Sequence, residues 1–546
     1  MKNSIKKLTV LLIVALPMFS CEDFLEENTR GRISQDDFIF ETEDDLRLGV
    51  VGLYDVLNDQ SLYGFNLGII GELGTDTYTT GSNNADFEPL DNYTLSDTYN
   101  SSANVWAASY KGIARVNYYL DAARRAGIVG TDTIIDQSIK DAYLGEAYCL
   151  RALLYFNLVR FFGDIPLATT PSESLSQEFY AAPQEDVYDQ IIEDLKFAKN
   201  ILPIEQNLTG RATKGAAHGL LIKVYLTMAG APLNKGLSHF KLALAEAEEF
   251  VSLSDGGTYP YALLNSYPKV FSEINENNSE IVFDAQSIAG ILEGSRWGKW
   301  GGYGATPDTR KIIDNAGFGT PRVMKSFYET YSDEDVIRKR WNATDSTYTD
   351  NGTFRRQNTV HLYSIAKFRP DPKSFSINGF YSDTETPLNI PILRFDDVLL
   401  MAAEAENEVN GPTSKALNYL NRIRSRVGLT GYTGTNFLLL YPSWQFEDAG
   451  LDLSDPRDRF REAIFWERGW ELCYEGHRRN DLVRWNRLIP TVRNVVRPDH
   501  EAINNTLNTN LKVVSNINIK DHHVLFPIPL EELGVSNNKF KQNDNY

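Results

Sequence analysis

The densest group of residues that could perform acid–base chemistry lies near the C-terminal end of the chain. Glu467, Glu471 and Glu475 are spaced four residues apart, so a helix would place the three carboxylates on one face. Two carboxylates can act as the acid and the base of a glycoside hydrolase. Arginines occur throughout the same block, however, and they would lower the carboxylate pKa values, which does not suit a general acid. We therefore predict a structural salt-bridge lattice, in which Arg478 and Arg484 reach back to the glutamates.

A second stretch could bind a ligand through aromatic rings. Residues 295–303 read SRWGKWGGY and place Trp297, Trp300 and Tyr303 among glycines, next to Arg296. Rings in a glycine-rich loop do not fill a helix core, and exposing them is unfavourable unless a ligand or partner covers them. Sugars offer C–H faces to aromatic rings and hydroxyls to polar side chains. The alternative, that these rings pin the segment onto the helices, remains open at this point.

An earlier segment has a similar composition. Residues 68–102 are rich in Gly, Thr, Asn, Asp and Tyr and have no helical period, which is typical of a long loop. Tyr78, Tyr93 and Tyr99 occur there together with Asn83. We include these four residues among the candidate ligand-binding residues.

The residue types that bind metals do not form a recognisable motif. The seven histidines show no HExxH pattern and no ligand spacing. Asp452, Asp455 and Asp458 form an acidic loop, but it lacks the glycine and terminal glutamate of an EF-hand. We therefore predict no cofactor; a structural calcium ion at this loop is an unsupported alternative.

The elements that must position these residues are mainly helices. The segment 141–167 is apolar on nearly every side and ends at Gly163, followed by Pro166, so it must be buried between neighbours. Similar segments recur, each followed by an amphipathic helix: 141–167 with 185–202, 211–232 with 237–253, 394–412 with 414–427, and a separated pair at 43–57 and 103–126. Recurring helix pairs that cannot bury their apolar faces alone predict an all-α-dominated, tetratricopeptide-like solenoid of about four helix pairs. Ordinary α-bundle packing is the alternative.

The charge of the chain limits its partners. The formal net charge is −19, so the phosphates of a nucleic acid would be repelled and we predict no nucleic-acid partner. Aromatic residues make up 12% of the chain, which also suits a surface that stacks against a ligand.

The N-terminus has the pattern of a lipoprotein leader. Lys2, Lys6 and Lys7 precede a short apolar run, and Ser20 stands directly before Cys21. Cleavage at this point would leave Cys21 as the lipid anchor, followed by an acidic tether. An uncleaved leader with an ordinary cysteine is the alternative.

Several long segments resemble hallmark segments of the SusD/RagB family, the surface lipoproteins of Bacteroidetes nutrient-uptake systems. These segments are LRALLYFNLVRFFGDIPL (150–167), IPILRFDDVLLMAAEAENEVNG (390–411), ALNYLNRIRSRVGL (416–429), IFWERGWELCYEGHRRNDLVRW (464–485) and LFPIPLEEL (525–533), and the leader that runs into CEDFLEE (21–27) also matches. The match extends over nearly the whole chain and preserves the order of the motifs.

The resemblance implies a surface-exposed outer-membrane protein that binds a glycan and delivers it, without catalysis, to a SusC-like TonB-dependent transporter. Peptide binding on the same scaffold, and a surface glycan hydrolase, are the alternatives. The expected organisation is a signal peptide (1–20), an acidic tether (21–40), an N-terminal helical repeat part (41–253) with an inserted loop (68–102), an irregular ligand-binding insertion (254–390) and a C-terminal helical part that packs back on the solenoid (391–546).

Overall fold

The computed structural model is built mainly of helices, with short strands between them. It describes residues 40–81, 86–126, 135–174, 180–288, 294–300, 321–348, 354–356, 363–369, 385–442, 450–506, 513, 517–536 and 539–546. Cys21 and the whole leader lie outside these ranges. Within them, no helix combines the length and the apolar character needed to cross a membrane.

Thirteen of the helices in these ranges are labelled here. They are α1 (Glu43–Leu53), α2 (Asn66–Glu72), α3 (Asn100–Arg125), α4 (Gln137–Phe162), α5 (Gln184–Ile201), α6 (Lys214–Ala229), α7 (Leu237–Asp255), α8 (Val336–Asn342), α9 (Phe395–Asn410), α10 (Ser414–Arg426), α11 (Pro456–Leu472), α12 (Arg478–Arg484) and α13 (Arg497–Thr506). Short helical turns include Asp55–Asn58, Glu88–Asp91, Tyr267–Val270, Trp297–Trp300, Lys325–Tyr328, Phe437–Leu440, Leu488–Thr491 and Leu530–Val535.

Helix α4 is the central element predicted from the apolar segment 141–167. Asp136 caps its N-terminus by accepting hydrogen bonds from the backbone N–H groups of Ser138 (2.7 Å) and Ile139 (3.4 Å). The helix ends at Gly163, whose φ of 76° lies in the region that glycine adopts readily. Its side chains are buried on several faces, because neighbouring helices cover it on more than one side.

The helices stack in chain order into a solenoid. Helix α4 packs against α3 and α5, α6 packs against α5 and α7, and α9 packs against α7 and α10. Helix α1 lies against α3 and α4, so the pair that is separated in sequence is joined in space. The predicted tetratricopeptide-like, helix-dominated fold is therefore confirmed.

Among the described residues, short strands form four small sheets. The strands are β1 (Tyr78–Thr80), β2 (Ile165–Pro166), β3 (Ala181–Ala182), β4 (Ile281–Ala285), β5 (Pro321–Val323), β6 (Ala343–Thr344), β7 (Ser346–Tyr348), β8 (Phe354–Arg356), β9 (Ser364–Ile365) and β10 (Ile390–Arg394). The largest sheet has the order β1-β5-β9-β6, and the others pair β10 with β4, β2 with β3, and β7 with β8. Strand β10 leads directly into α9, so its pairing with β4 connects the segment after α7 to the solenoid.

The segment 68–102 differs from the predicted long loop. It contains most of α2, strand β1 and the start of α3. Every residue of α2 is buried, so this helix carries no amphipathic pattern from which it could be recognised. Strand β1 is likewise buried at all three positions, where its Tyr-Thr-Thr sequence has no alternating pattern.

The C-terminal residues lie on the central helix. The backbone N–H of Phe526 donates to the carbonyl of Phe161 at 2.7 Å, and the two rings lie 5.6 Å apart between centroids. Asn543 donates through Nδ2 to the carbonyl of Phe162 at 3.0 Å. These contacts satisfy carbonyls at the C-terminal end of α4 that have no partner within the helix.

Candidate functional site

Trp297 is part of the core and does not form an exposed platform. Its side chain is 4% exposed, and its ring lies 6.2 Å from Phe65 and 5.8 Å from Phe368 between centroids. Its indole N–H donates to the carbonyl of Tyr63 at 3.2 Å. A Cβ on Gly68 would lie 1.6 Å from the ring, so the close approach of α2 requires glycine there. The assignment of Trp297 to ligand stacking is therefore wrong, and the alternative that it pins this segment to the helices is correct.

The tyrosines of the segment 68–102 are also buried. Tyr78 and Tyr93 are almost fully enclosed, and Tyr99 is 8% exposed. The Tyr93 hydroxyl donates to the carbonyl of Gly74 at 2.6 Å. Burial raises the pKa of Tyr93 to about 12, so its hydroxyl stays protonated. Rings in such positions cannot stack on a sugar, and their assignment as ligand-binding residues is wrong, because distant parts of the chain cover them. The ring of Tyr474 lies 6.1 Å from Tyr78 and that of His523 lies 5.5 Å from Tyr93, between centroids.

The structure does not describe the side chains of the remaining aromatic and amide candidates. Asn83 and Tyr303 lie outside the described residues. Trp300 is the last residue of the short helix Trp297–Trp300, and its side chain also lies outside the described part. Their role in ligand binding stays a prediction.

Of the predicted ligand-binding residues, Arg296 lines an open cleft. The cleft has a volume of about 690 Å³ and lies between the end of α1, the loop before α6 and the end of β4. Its polar lining comprises Tyr54, Asp55, Asn58, Asp59, Gln60, Thr209, Arg211, Asp284, Gln286, Arg296 and Glu385. These groups offer both hydrogen-bond donors and acceptors, as recognition of a polyhydroxylated ligand requires.

Two charged side chains of the cleft keep unused polar atoms. Glu385 is 2% exposed; its Oε1 accepts a hydrogen bond from Gln60 at 3.1 Å, and its Oε2 has no partner among the described residues. The Nε of Arg296 is also buried and unpartnered within the same part of the chain, while its guanidinium lies 5.8 Å from the centre of the Phe65 ring. Buried polar atoms normally have partners, so these two atoms are an unmet hydrogen-bonding capacity in the wall of the cleft.

The other side of the cleft is held in place by internal contacts. Arg211 and Glu146 form a buried ion pair, in which Arg211 Nε donates to Glu146 Oε2 at 2.8 Å. The Tyr54 hydroxyl donates to the same oxygen at 2.7 Å and accepts from the backbone N–H of Ala212 at 2.8 Å. These contacts fix the loop before α6 against α1. The carboxylate of Glu146 neutralises the charge of Arg211.

A desolvated carboxyl group lies at the end of β4. Burial raises the pKa of Asp284 to about 6, although hydrogen bonds from Gln286 (2.6 Å) and Asn389 (3.2 Å) oppose the shift. Behind it, burial raises the pKa of Glu276 to about 8, against a hydrogen bond from the backbone N–H of Asn389. Both oxygens of Asp284 therefore accept from amides that orient the cleft wall.

Sequence reasoning missed Glu385, Gln60 and Gln286. They come from three distant segments and match no motif, and only the fold brings them to one cleft. A glycine in a polar loop, Gly210, is a local signal that could have pointed to Gln286. Its φ is +79°, and a Cβ there would lie 2.2 Å from the Gln286 side chain.

The glutamates of α11 and the residues just after it form a buried ion network, as predicted, but mostly with other partners. Glu467 pairs with Arg338 and Arg424, Glu471 with Arg426 and Arg338, and Glu475 with Lys367 and Arg394. Arg478 instead binds Asp76 at 2.7 Å, and Arg484 binds Glu404 and Asp481. The expectation that these two arginines reach back to the three glutamates is wrong, because α12 turns away toward α2 and α9.

The ionisation of this network does not suit general acid catalysis. Burial alone would raise the pKa of Glu467, but Arg338 and Arg424 outweigh it and the pKa lies below its usual value. The pKa values of Glu471 and Glu475 are lowered in the same way by their own basic partners. All three carboxylates therefore serve the connection between helices.

The remaining sequence candidates have local roles. Asp455 caps α11 by accepting from the backbone N–H of Arg457 at 2.8 Å, and Asp452 accepts from Ser454. Asp458 pairs with Arg461. Cys149 and Cys473 are buried free thiols.

Comparisons with known proteins agree with the fold and the motifs. A family model described as "SusD family" matches residues 280–546, and one described as "Starch-binding associating with outer membrane" matches residues 23–226. SusD-like protein P25 of Formosa agariphila is 29% identical to this chain, over 97% of each chain.

Solved structures give the same result. A SusD homologue from Bacteroides thetaiotaomicron superposes with a TM-score of 0.77 at 26% identity, covering 94% of this chain and 99% of its own. A laminarin-binding SusD-like protein superposes with a TM-score of 0.68 at 25% identity, covering 93% of this chain and 100% of its own. With two family models matching successive parts of the sequence and a solenoid shared with these structures, the chain belongs to the SusD/RagB family.

Proposed function

We propose that this chain is a cell-surface lipoprotein that binds an oligosaccharide in the cleft lined by Arg296 and Glu385 and passes it to a SusC-like TonB-dependent transporter. The protein captures its ligand and does not transform it. Cys21 carries the lipid anchor in the outer membrane. The observation that carries the assignment of the site is the pair of buried, unpartnered polar atoms, Arg296 Nε and Glu385 Oε2, in one open cleft.

The chemistry of the cleft supports a glycan as the ligand. Carboxylate, amide and guanidinium groups provide directional partners for sugar hydroxyls, and these groups are held before binding by contacts to the fold. A solved relative at 25% identity is a laminarin-binding protein. Laminarihexaose is therefore a rational first probe, followed by a panel of other oligosaccharides.

The test is calorimetric titration of the chain without its leader. Glu385→Gln keeps the size of the side chain but removes its charge, and Arg296→Met removes the guanidinium. A hydrogen bond to a charged group contributes about 1.5–3 kcal/mol, so each change should weaken binding of the panel glycan by roughly ten- to a hundredfold. Glu329→Gln is the matched control, because Glu329 is half exposed outside this cleft and contacts Lys325. Equal affinity in all four proteins would place the site elsewhere.

Two further measurements separate the alternatives. Incubation with the bound glycan should release no new reducing ends; turnover that disappears in Glu385→Gln or Asp284→Asn would assign the protein to the hydrolases. A peptide panel tested in the same titration should give no saturable binding. Saturable peptide binding that Glu385→Gln abolishes would identify the peptide-binding alternative instead.

The transporter partner is tested separately from the ligand. Affinity isolation of the lipidated protein from detergent-solubilised outer membranes should recover a TonB-dependent transporter. The same isolation with Glu385→Gln should recover as much transporter, since the cleft contacts the ligand. Absence of any such transporter would contradict the delivery step while leaving glycan binding intact.

A further inference from the structure

A histidine and two glutamates converge between helices α6 and α7, away from the ligand cleft. His218 lies on α6, and Glu246 and Glu249 lie one turn apart on α7. One ligand atom from each residue lies within 4.8 Å of the others. No sequence pattern predicts this group, because its members come from two helices and have no metal-binding spacing.

The imidazole has an unused nitrogen that points into the group. His218 is fully buried, and its Nε2 lies 3.0 Å from Glu246 Oε2 and 3.7 Å from Glu249 Oε2. Neither contact has the alignment of a hydrogen bond, and Nε2 has no hydrogen-bond partner in the described part of the chain. The opposite nitrogen, Nδ1, lies 3.2 Å from the Tyr259 hydroxyl. Donation from Nδ1 to that hydroxyl leaves the Nε2 lone pair directed at the carboxylates, an arrangement that a cation between them would stabilise.

The distances fit a tetrahedral transition metal. Zinc binds imidazole nitrogen and carboxylate oxygen at about 2.0–2.2 Å, which places neighbouring ligand atoms roughly 3.3 Å apart. The separations of Nε2 from the two glutamate oxygens fall on either side of this value.

An internal cation now holds the two carboxylates together. The ammonium of Lys199 on α5 lies 2.6 Å from Oε2 of both Glu246 and Glu249. A divalent ion at this position would have to displace the ammonium. The Lys199 side chain is partly exposed, so its charge can move into water when the ion binds.

We propose that His218, Glu246 and Glu249 form a binding site for zinc or a similar divalent transition metal, which joins α6 to α7 and competes with Lys199. The three side chains supply one nitrogen and two oxygen ligands, and water completes the coordination shell. The ion stabilises the helix pair because it binds the folded arrangement and not the separated helices.

The test uses the chain without its leader, freed of metal and titrated with zinc in the presence of a competing chelator dye. The parent should bind one zinc ion with a rise in melting temperature. Glu249→Gln, on the half-exposed side of the group, should weaken zinc binding about tenfold or more. Lys199→Met should tighten it by roughly tenfold, since a competing positive charge is removed.

Glu248→Gln is the matched control, because Glu248 neighbours Glu249 on α7 but pairs with Lys415. It should bind zinc like the parent. Equal affinity in the parent, Glu249→Gln and Lys199→Met would mean that zinc binds elsewhere, and this would overturn the proposal. Binding by Lys199→Met alone would also overturn it, because the natural group would then be a lysine-bridged ion cluster.

Discussion

Glu467 provides a direct test of the buried ion network. It is fully buried on α11; its Oε2 accepts from Arg338 at 2.8 Å, and its Oε1 accepts from the Tyr441 hydroxyl at 3.1 Å and from Arg424. Glu467→Gln keeps the size of the side chain and removes the charge. Arg338 would keep Asp335 at 2.6 Å, whereas Arg424 would lose the carboxylate that faces it.

The expected loss in the free energy of unfolding comes from Arg424, which would be left without its carboxylate partner. Removing one partner of a buried ion pair costs about 3–5 kcal/mol, since the remaining charge stays buried without compensation. The control is Asp44→Asn, which breaks an exposed pair with Arg47 and should cost less than about 1 kcal/mol. Urea titration followed by tryptophan fluorescence gives both free energies of unfolding.

A double-mutant cycle identifies the origin of the loss. Arg424→Met in the Glu467→Gln background removes the stranded charge, so the double variant should be less destabilised than the sum of the single variants. Affinity for the panel glycan should not change, because the network lies outside the cleft. A loss for Glu467→Gln no larger than that for Asp44→Asn, or additive single and double variants, would refute the reasoning.

Three further changes have defined outcomes. Trp297→Ala should cost about 3–5 kcal/mol in the free energy of unfolding, because it empties a buried site packed on Gly68; parent-like stability with lost glycan binding would contradict this. Cys21→Ala should release the protein from the membrane fraction, and unchanged acylation would refute the anchor. The pKa of Glu276 rises to about 8 in the fold, so the folded state binds more protons than the unfolded one and stability should fall from about pH 5 to about pH 8. Glu276→Gln should flatten this profile in denaturant titrations at several pH values, and an unchanged slope would contradict the shift.

The solenoid and the family could be read from the sequence. Helix α4 could be predicted from an apolar run that ends at Gly163. This signal is local, because the apolar residues of a helix show which of its faces must be buried. The structural role of Glu467 could also be predicted, since arginines nearby in the sequence signal neutralised carboxylates. The identity of its partners could not: Arg338 and Arg424 reach it only after distant segments fold together.

Whether an aromatic ring is exposed was decided by tertiary structure alone. Trp297 and Tyr93 lie in polar, glycine-containing sequence, which is as compatible with a ligand platform as with a buried anchor. The outcome depends on whether other segments cover them, and α2 covers Trp297 through contact with Gly68. The cleft and the His218 group follow the same rule. Local sequence determines which helix or loop a residue belongs to. The convergence of Arg296 with Glu385, or of His218 with Glu249, depends instead on how separate segments pack in space.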